Sequence, residues 1–148
     1  MKGFTLLEIL VSMAIIVVLS ALIFSVMSSF GESNKLTEAN SGIIGLLRDA
    51  RSRTLASEFG SNFGVHFENT KAVLFRGDVY DSASPANESY LLPPSIEISA
   101  IDLTAGAVDT VFTRLYGTTT ASGTVTLRSR SVPAKIHTVS IYSTGGIK

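Results

Sequence analysis

The sequence contains no cysteine and no tryptophan, and only two histidines, His66 and His137. Without thiols there is no disulfide, no thiolate metal site and no cysteine nucleophile. Charge is scarce as well. Asp, Glu, Lys and Arg make up 16% of the residues, against about 25% in typical soluble proteins. Twelve acids balance twelve bases, so the chain as a whole is not a polybasic nucleic-acid binder. The two histidines are far apart in the sequence, each within strand-like alternation. No G-x-S-x-G, H-E-x-x-H, phosphate-loop or dinucleotide pattern occurs. Nothing here forms a catalytic constellation, and the expectation is a non-enzyme without cofactor or metal. The 148 residues suffice for one ordinary domain, or a small domain with an appendage.

Charge is rarest at the start. Lys2 and Glu8 are the only charged residues before Glu32. The 24 residues 4–27 read FTLLEILVSMAIIVVLSALIFSVM. As a helix they would extend ~36 Å, more than the about 30 Å of a bilayer's hydrocarbon core. This predicts a membrane-spanning helix with Lys2 on the cytoplasmic side. An ordinary secretory signal fits less well, because its apolar core is shorter and a small-residue cleavage site follows it. Glu8 separates the two readings further. A carboxylate at the centre of a membrane helix costs about 3 kcal/mol or more, and such residues mark function. Near a helix end it can instead snorkel to the interface.

The residues around Glu8 favour function. The stretch MKGFTLLEILV, with Gly3-Phe4-Thr5-Leu6-Leu7-Glu8 at its centre, resembles the prepilin leader of type IV pilins and type II secretion pseudopilins. The resemblance implies that a membrane aspartyl prepilin peptidase cuts between Gly3 and Phe4 and methylates the new Phe4 amine. Glu8 would then be the fifth residue of the mature chain. A freed α-amine has a reference pKa near 8, so it is largely protonated and needs a partner among apolar helices. The resemblance implies that Glu8 of one subunit neutralises the amine of a neighbour and sets the register of a filament.

Behind the apolar run the composition changes. Ser28-Ser29-Phe30-Gly31-Glu32-Ser33-Asn34 is polar and predicts an exit from the bilayer with a bend or local melting. Leu36, Ala39, Ile43, Leu47, Ala50 and Thr54 then recur at spacings of three and four, with Ile44, Leu46 and Leu55 widening the stripe. This predicts an amphipathic helix over 36–57. Arg48, Asp49, Arg51 and Arg53 occupy its other side, as a solvated face with local ion pairs or as a contact for an acidic neighbour. Gly42 and Gly45 weaken it by about 1 kcal/mol each relative to alanine.

From Phe63 the period becomes two. Phe63, Val65 and Phe67 alternate with polar or small residues, and residues 72–76 follow a turn, which predicts a hairpin. Residues 77–94 predict a long surface loop. Within it, Asp78, Asp81 and Asn87 suggest either a cation loop or, the simpler reading, a solvated acidic turn. Four more strands are expected, at 95–103, 110–116, 124–130 and 136–142. The fold class is α+β: a long N-terminal helix packed on an antiparallel β-domain. The expected parts are a leader (1–3), a transmembrane and filament-core helix (4–30), its amphipathic continuation (31–60) and a periplasmic or extracellular β-domain (61–148).

Two further segments narrow the resemblance. Gly123-Thr124-Val125-Thr126-Leu127 and the closing strand that ends in Ser143-Thr144-Gly145-Gly146 resemble GspH/FimT-type minor pseudopilins. Leu46-Leu47-Arg48-Asp49-Ala50-Arg51 is similar to their Leu-x-x-Ala-Arg pattern. The disulfide loop of many major pilins is excluded by the lack of cysteine. No acid follows Asp109, so the calcium loop of major secretion pseudopilins is not expected in its usual place.

Charge is also segregated. Residues 64–109 hold seven acids and two bases, and residues 110–148 hold five bases and no acid. Arg128 and Arg130 share one strand face. They read either as a phosphate patch, like that of DNA-capturing FimT-like pilins, or as a contact for an acidic neighbouring subunit. The second is preferred, because Gly145-Gly146-Ile147-Lys148 lacks the arginines of the Gly-Arg-x-Arg end of those pilins.

The whole predicts a minor pilin-like subunit of a type II secretion pseudopilus or a type IV pilus. The precursor would cross the bacterial inner membrane once, with its C-terminal domain outside the cytoplasm, and then enter a periplasmic or cell-surface filament. The implied partners are prepilin peptidase, other pilin or pseudopilin subunits, the inner-membrane assembly platform and membrane lipid before assembly. Nucleic acid is the alternative partner.

Overall fold

The computed structural model describes the backbone of residues 4–148, and the side chains of all of these except 22 and 24–29. The leader expected at residues 1–3, Gly3 included, lies outside the described residues.

One helix, α1, runs unbroken from Leu6 to Leu55, 50 residues or ~75 Å at about 1.5 Å per residue. Thr5 caps it: its Oγ1 accepts the Glu8 amide at 3.2 Å, which satisfies one of the orphan donors of the first turn. The bend expected at 28–34 does not form. Local bonds carry the helix across Gly31, with Lys35 paired to Glu32 at 3.1 Å and the Thr37 hydroxyl donating to the Ser33 carbonyl at 3.0 Å. Tertiary anchoring begins at the same place, since the Ser129 hydroxyl donates to Glu32 at 2.9 Å and Lys135 donates to Ser33 at 2.7 Å.

The helix has two halves of different character. The described side chains from Phe4 to Ala21 are all exposed. Beyond them Leu36, Ala39, Ile43, Leu47, Ala50 and Thr54, the stripe read from the periodicity, are all buried. Among the described residues no helix is long and apolar enough to cross a membrane. The span expected over 4–30 includes the side chains at 22 and 24–29, which lie outside that description.

The helix ends at Ala56, and Ser57 and Phe59 take left-handed backbone angles that redirect the chain into the sheets. Seven strands follow: β1 (Phe63–Glu68), β2 (Lys71–Arg76), β3 (Glu88–Leu91), β4 (Ile96–Leu103), β5 (Asp109–Phe112), β6 (Gly123–Ser129) and β7 (Ile136–Ile141). They form two antiparallel sheets, ordered β3-β2-β1-β5 and β4-β6-β7. The buried stripe of α1 joins one core with Phe63, Val65 and Phe67 of β1, Leu74 of β2, Ile96 and Ile98 of β4, Val125 and Leu127 of β6, and Val139 and Ile141 of β7.

Two expectations need correction. The stretch 77–94 is not all loop, because it contains β3. That strand has no alternating burial; it is held by β2 and by the helix instead. Arg53 grips Glu88 at 2.5 and 3.1 Å, and the Tyr90 ring lies where a Cβ on Gly42 would stand. The strand expected at 110–116 stops at Phe112, because the chain turns: the Gly117 amide donates back to Thr113 at 2.7 Å, and Leu115 takes a positive φ of 71°. The rest of the 77–94 segment covers the outer face of β1 and β2. Tyr80 stacks on His66 at 3.9 Å and meets Phe75 edge-on at 5.5 Å, which explains why Val73 and Phe75 are buried on the side away from the helix.

Candidate assembly surface

The exposed half of α1 carries a long apolar surface. Phe4, Leu6, Leu7, Ile9, Leu10 and Met13 head a continuous series of exposed apolar side chains. Soluble monomers rarely expose such a run, and one of this size marks a membrane or partner interface. Leu10, Val11, Ala14, Ile15, Val18 and Leu19 form an apolar groove of about 340 Å³ along it. Ser12 and Ser20 turn their hydroxyls back onto the carbonyls of Glu8 and Ile16, both at 2.7 Å, so neither adds an unsatisfied polar group to this face.

Glu8 sits at the start of this surface. Its backbone belongs to the capped first turn, and its carboxylate is exposed. Among the described residues it has no ion pair. Phe4 lies just before the Thr5 cap and is 78% exposed. Phe4 and Glu8 are therefore about one turn apart at the start of the half of α1 whose described side chains are all exposed. Such an arrangement leaves the Glu8 carboxylate without a charged partner among the described residues.

The other predicted residues are placed differently. Arg128 and Arg130 do share a strand face, and Glu97 lies opposite them, since Glu97 and Arg128 are register partners in the β4–β6 ladder. Arg128 reaches Glu97 at 2.5 Å and Arg130 reaches it at 3.0 Å. The Arg128 hydrogen bond, with help from Arg130, holds the Glu97 carboxyl below its ordinary range. One acid thus serves two bases. This intramolecular partner was missed, although the sequence signal existed: an acid within the strand that pairs with β6.

Arg53 is clamped by Glu88 and by Asp49 at 2.8 Å, and these partners push its already high pKa further up. It belongs to the local ion pairs expected of that face. Arg51 instead donates from Nε to the Gly117 carbonyl at 3.0 Å. Where α1 first meets the sheets, the hydrogen bonds from Lys35 and Ser129 lower the pKa of Glu32.

Asp78, Asp81 and Asn87 are not brought together around an ion. Asp78 accepts from Asn62 at 2.6 Å, Asp81 accepts the Ala83 amide at 2.9 Å, and Asn87 donates to the Asp81 carbonyl at 2.7 Å. This is a self-bonded turn. Among the described residues no group of three or more His, Asp or Glu side chains is placed to hold a metal ion. His66 contacts Asp109 across the β1–β5 ladder and packs under Tyr80. His137 lies exposed on β7. The two histidines have no common site.

A family model for the prokaryotic N-terminal methylation motif matches residues 1–24. No curated protein matches the chain by sequence. Among solved structures, the type IV minor pilin FimU of Pseudomonas aeruginosa superposes with a TM-score of 0.59 at 16% identity, covering 80% of this chain and 90% of FimU. A second crystal form of FimU gives 0.57 at 14% identity, over 76% and 90%. The minor pseudopilin EpsH from the type 2 secretion system of Vibrio cholerae gives 0.55 at 12% identity, over 77% and 94%. The shared fold is a long N-terminal helix on antiparallel sheets. The chain thus carries a prokaryotic N-terminal methylation motif over residues 1–24 and, over most of its length, a pilin-like fold.

Proposed function

We propose that the chain is a GspH/FimT-type minor subunit of a type II secretion pseudopilus or a type IV pilus. Prepilin peptidase cleaves it between Gly3 and Phe4 and methylates the Phe4 amine. Before assembly the apolar half of α1 is held in lipid as a single pass, with the β-domain outside the cytoplasm. Assembly at the inner-membrane platform then moves that half into a filament core, where Glu8 neutralises the amine of a neighbouring subunit. The observation that carries this reading is the exposed apolar half-helix that begins at a methylation motif and bears one carboxylate.

The test is incorporation of Glu8→Ala. The variant is expected to be inserted and to yield a mature N-terminus beginning at Phe4 by mass spectrometry, yet to be depleted from sheared filaments. Normal incorporation refutes the role of Glu8, and retention of residues 1–3 in the native protein refutes the processing. Deleting the gene separates the two machines, through loss of secreted proteins in one case and of surface pili in the other.

The alternative, a FimT-like DNA-binding pilin, has less support. Glu97 neutralises one of the two charges offered by Arg128 and Arg130, whereas DNA affinity depends on several cations meeting phosphates. Salt-sensitive DNA binding by the chain that is lost on reversing both arginines would favour it.

A further inference from the structure

A cleft of about 280 Å³ lies beside the buried stripe of α1, between Arg48, Arg51, Ser52 and Leu55 on the helix and residues 145–147 of the C-terminal segment. The four helix residues form one ridge at spacings of three and four. Arg53, Arg128 and Arg130 all pair with carboxylates inside the molecule. Arg48 and Arg51 do not: among the described residues neither has an ion pair, and the Arg48 side chain has no hydrogen bond.

The cleft is built rather than incidental. Arg51 is fixed by its Nε bond to the Gly117 carbonyl, which leaves its two terminal nitrogens unbonded. Two loops converge on that bond. Gly117 and Gly145 both take left-handed backbone angles, φ 63° and 78°. A side chain on Gly145 would overlap the Gly117 carbonyl and crowd Arg51, and one on Gly117 would press on Leu55 and Arg51. Glycine at these two places is what allows the loops to close around the guanidinium. Leu55 and Ile147 add apolar walls, which strengthen an ion pair formed between them.

We infer that this cleft receives a single carboxylate side chain from a neighbouring filament subunit, an inference that rests on the filament reading above. A guanidinium held in place presents a planar fork that matches a carboxylate. Two cations flanked by aliphatic side chains are not the extended basic track that a nucleic acid needs.

The test uses the full-length chain in its native membranes. Arg48→Lys keeps the charge and places an amine in the cleft. A carbodiimide then couples that amine only to a carboxylate in contact with it. The expected result is an amide bond between position 48 and an Asp or Glu of another subunit whose precursor has a prepilin leader, mapped by tandem mass spectrometry. Arg48→Glu, at an exposed position with no bond to disturb, should lower recovery in filaments at least about tenfold. Converting the mapped acid to Arg should restore it. Three results overturn the inference alone: no coupling at position 48 in filaments that contain the chain, normal incorporation of Arg48→Glu, or loss of DNA binding by that variant without loss of incorporation. Absence of the wild-type chain from all filaments overturns the filament reading as well.

Discussion

Thr54 offers a clean test of how the helix is joined to the sheet. It is fully buried, at the end of the apolar stripe. Its hydroxyl donates to the Ala50 carbonyl at 2.8 Å and accepts the Phe63 amide, the first of β1, at 3.0 Å. Thr54→Val conserves shape and has a similar helix propensity, so it opens no cavity. What it removes is the hydroxyl, and with it both the bond to the Ala50 carbonyl and the side-chain acceptor of the Phe63 amide, whose residue also pairs with Phe112 of β5. Two buried hydrogen bonds at about 0.5–1.5 kcal/mol each are lost, and about 2 kcal/mol is expected here. Thr54→Ser keeps the acceptor and loses one buried methyl, worth about 0.8 kcal/mol. Among the described residues Glu32 is the first helix residue bonded to the sheets, so a soluble fragment from Gly31 onward retains that joint. Its urea unfolding gives both free energies, and exchange of the Phe63 amide should accelerate in the valine variant only. A valine variant at least as stable as the serine one would refute the reasoning, because burial would then outweigh the hydrogen bond at this joint.

Other perturbations separate further parts of the structure. Leu47→Ala, at the centre of the stripe and fully buried, should cost about 2–5 kcal/mol in the same unfolding assay; a loss below 1 kcal/mol would mean that the helix is not the lid of the core. Gly145→Ala forces a residue with a Cβ into left-handed backbone, at about 1–2 kcal/mol, and adds a collision with the Gly117 carbonyl. The neighbouring Gly146→Ala has room and should change the thermal midpoint little, so equal effects would refute the account of the converging loops. Glu97 has a folded-state pKa below its ordinary value of 4.5. Its contribution to stability is therefore complete above about that pH and is lost as pH falls through the depressed folded value. Glu97→Gln should flatten this acid limb, and an unchanged limb would place the sensitive carboxylate elsewhere.

The sequence by itself determined whatever depends on short-range order. The spacing of Leu36, Ala39, Ile43, Leu47, Ala50 and Thr54 specified which face of the helix is buried, because a helix repeats every 3.6 residues whatever it packs on. Alternation at Phe63, Val65 and Phe67 specified β1 in the same way. The methylation motif over residues 1–24 is a linear signal and needed no fold to be read. The tertiary structure decided what depends on pairing across the chain. β3 was not legible, because Glu88–Leu91 lacks alternation and is held by Arg53 and by the space above Gly42. The helix continues through Gly31, where local propensity predicted a bend, because contacts from Ser129 and Lys135 anchor that turn. Arg128 and Arg130 looked like a free basic pair until the β4–β6 register set Glu97 against them. The Arg48 and Arg51 cleft exists only because two glycine loops, far from the helix in sequence, close on it. Spacing along one element reveals which residues share a face; which charges are neutralised and which remain open to a partner depends on register and loop closure.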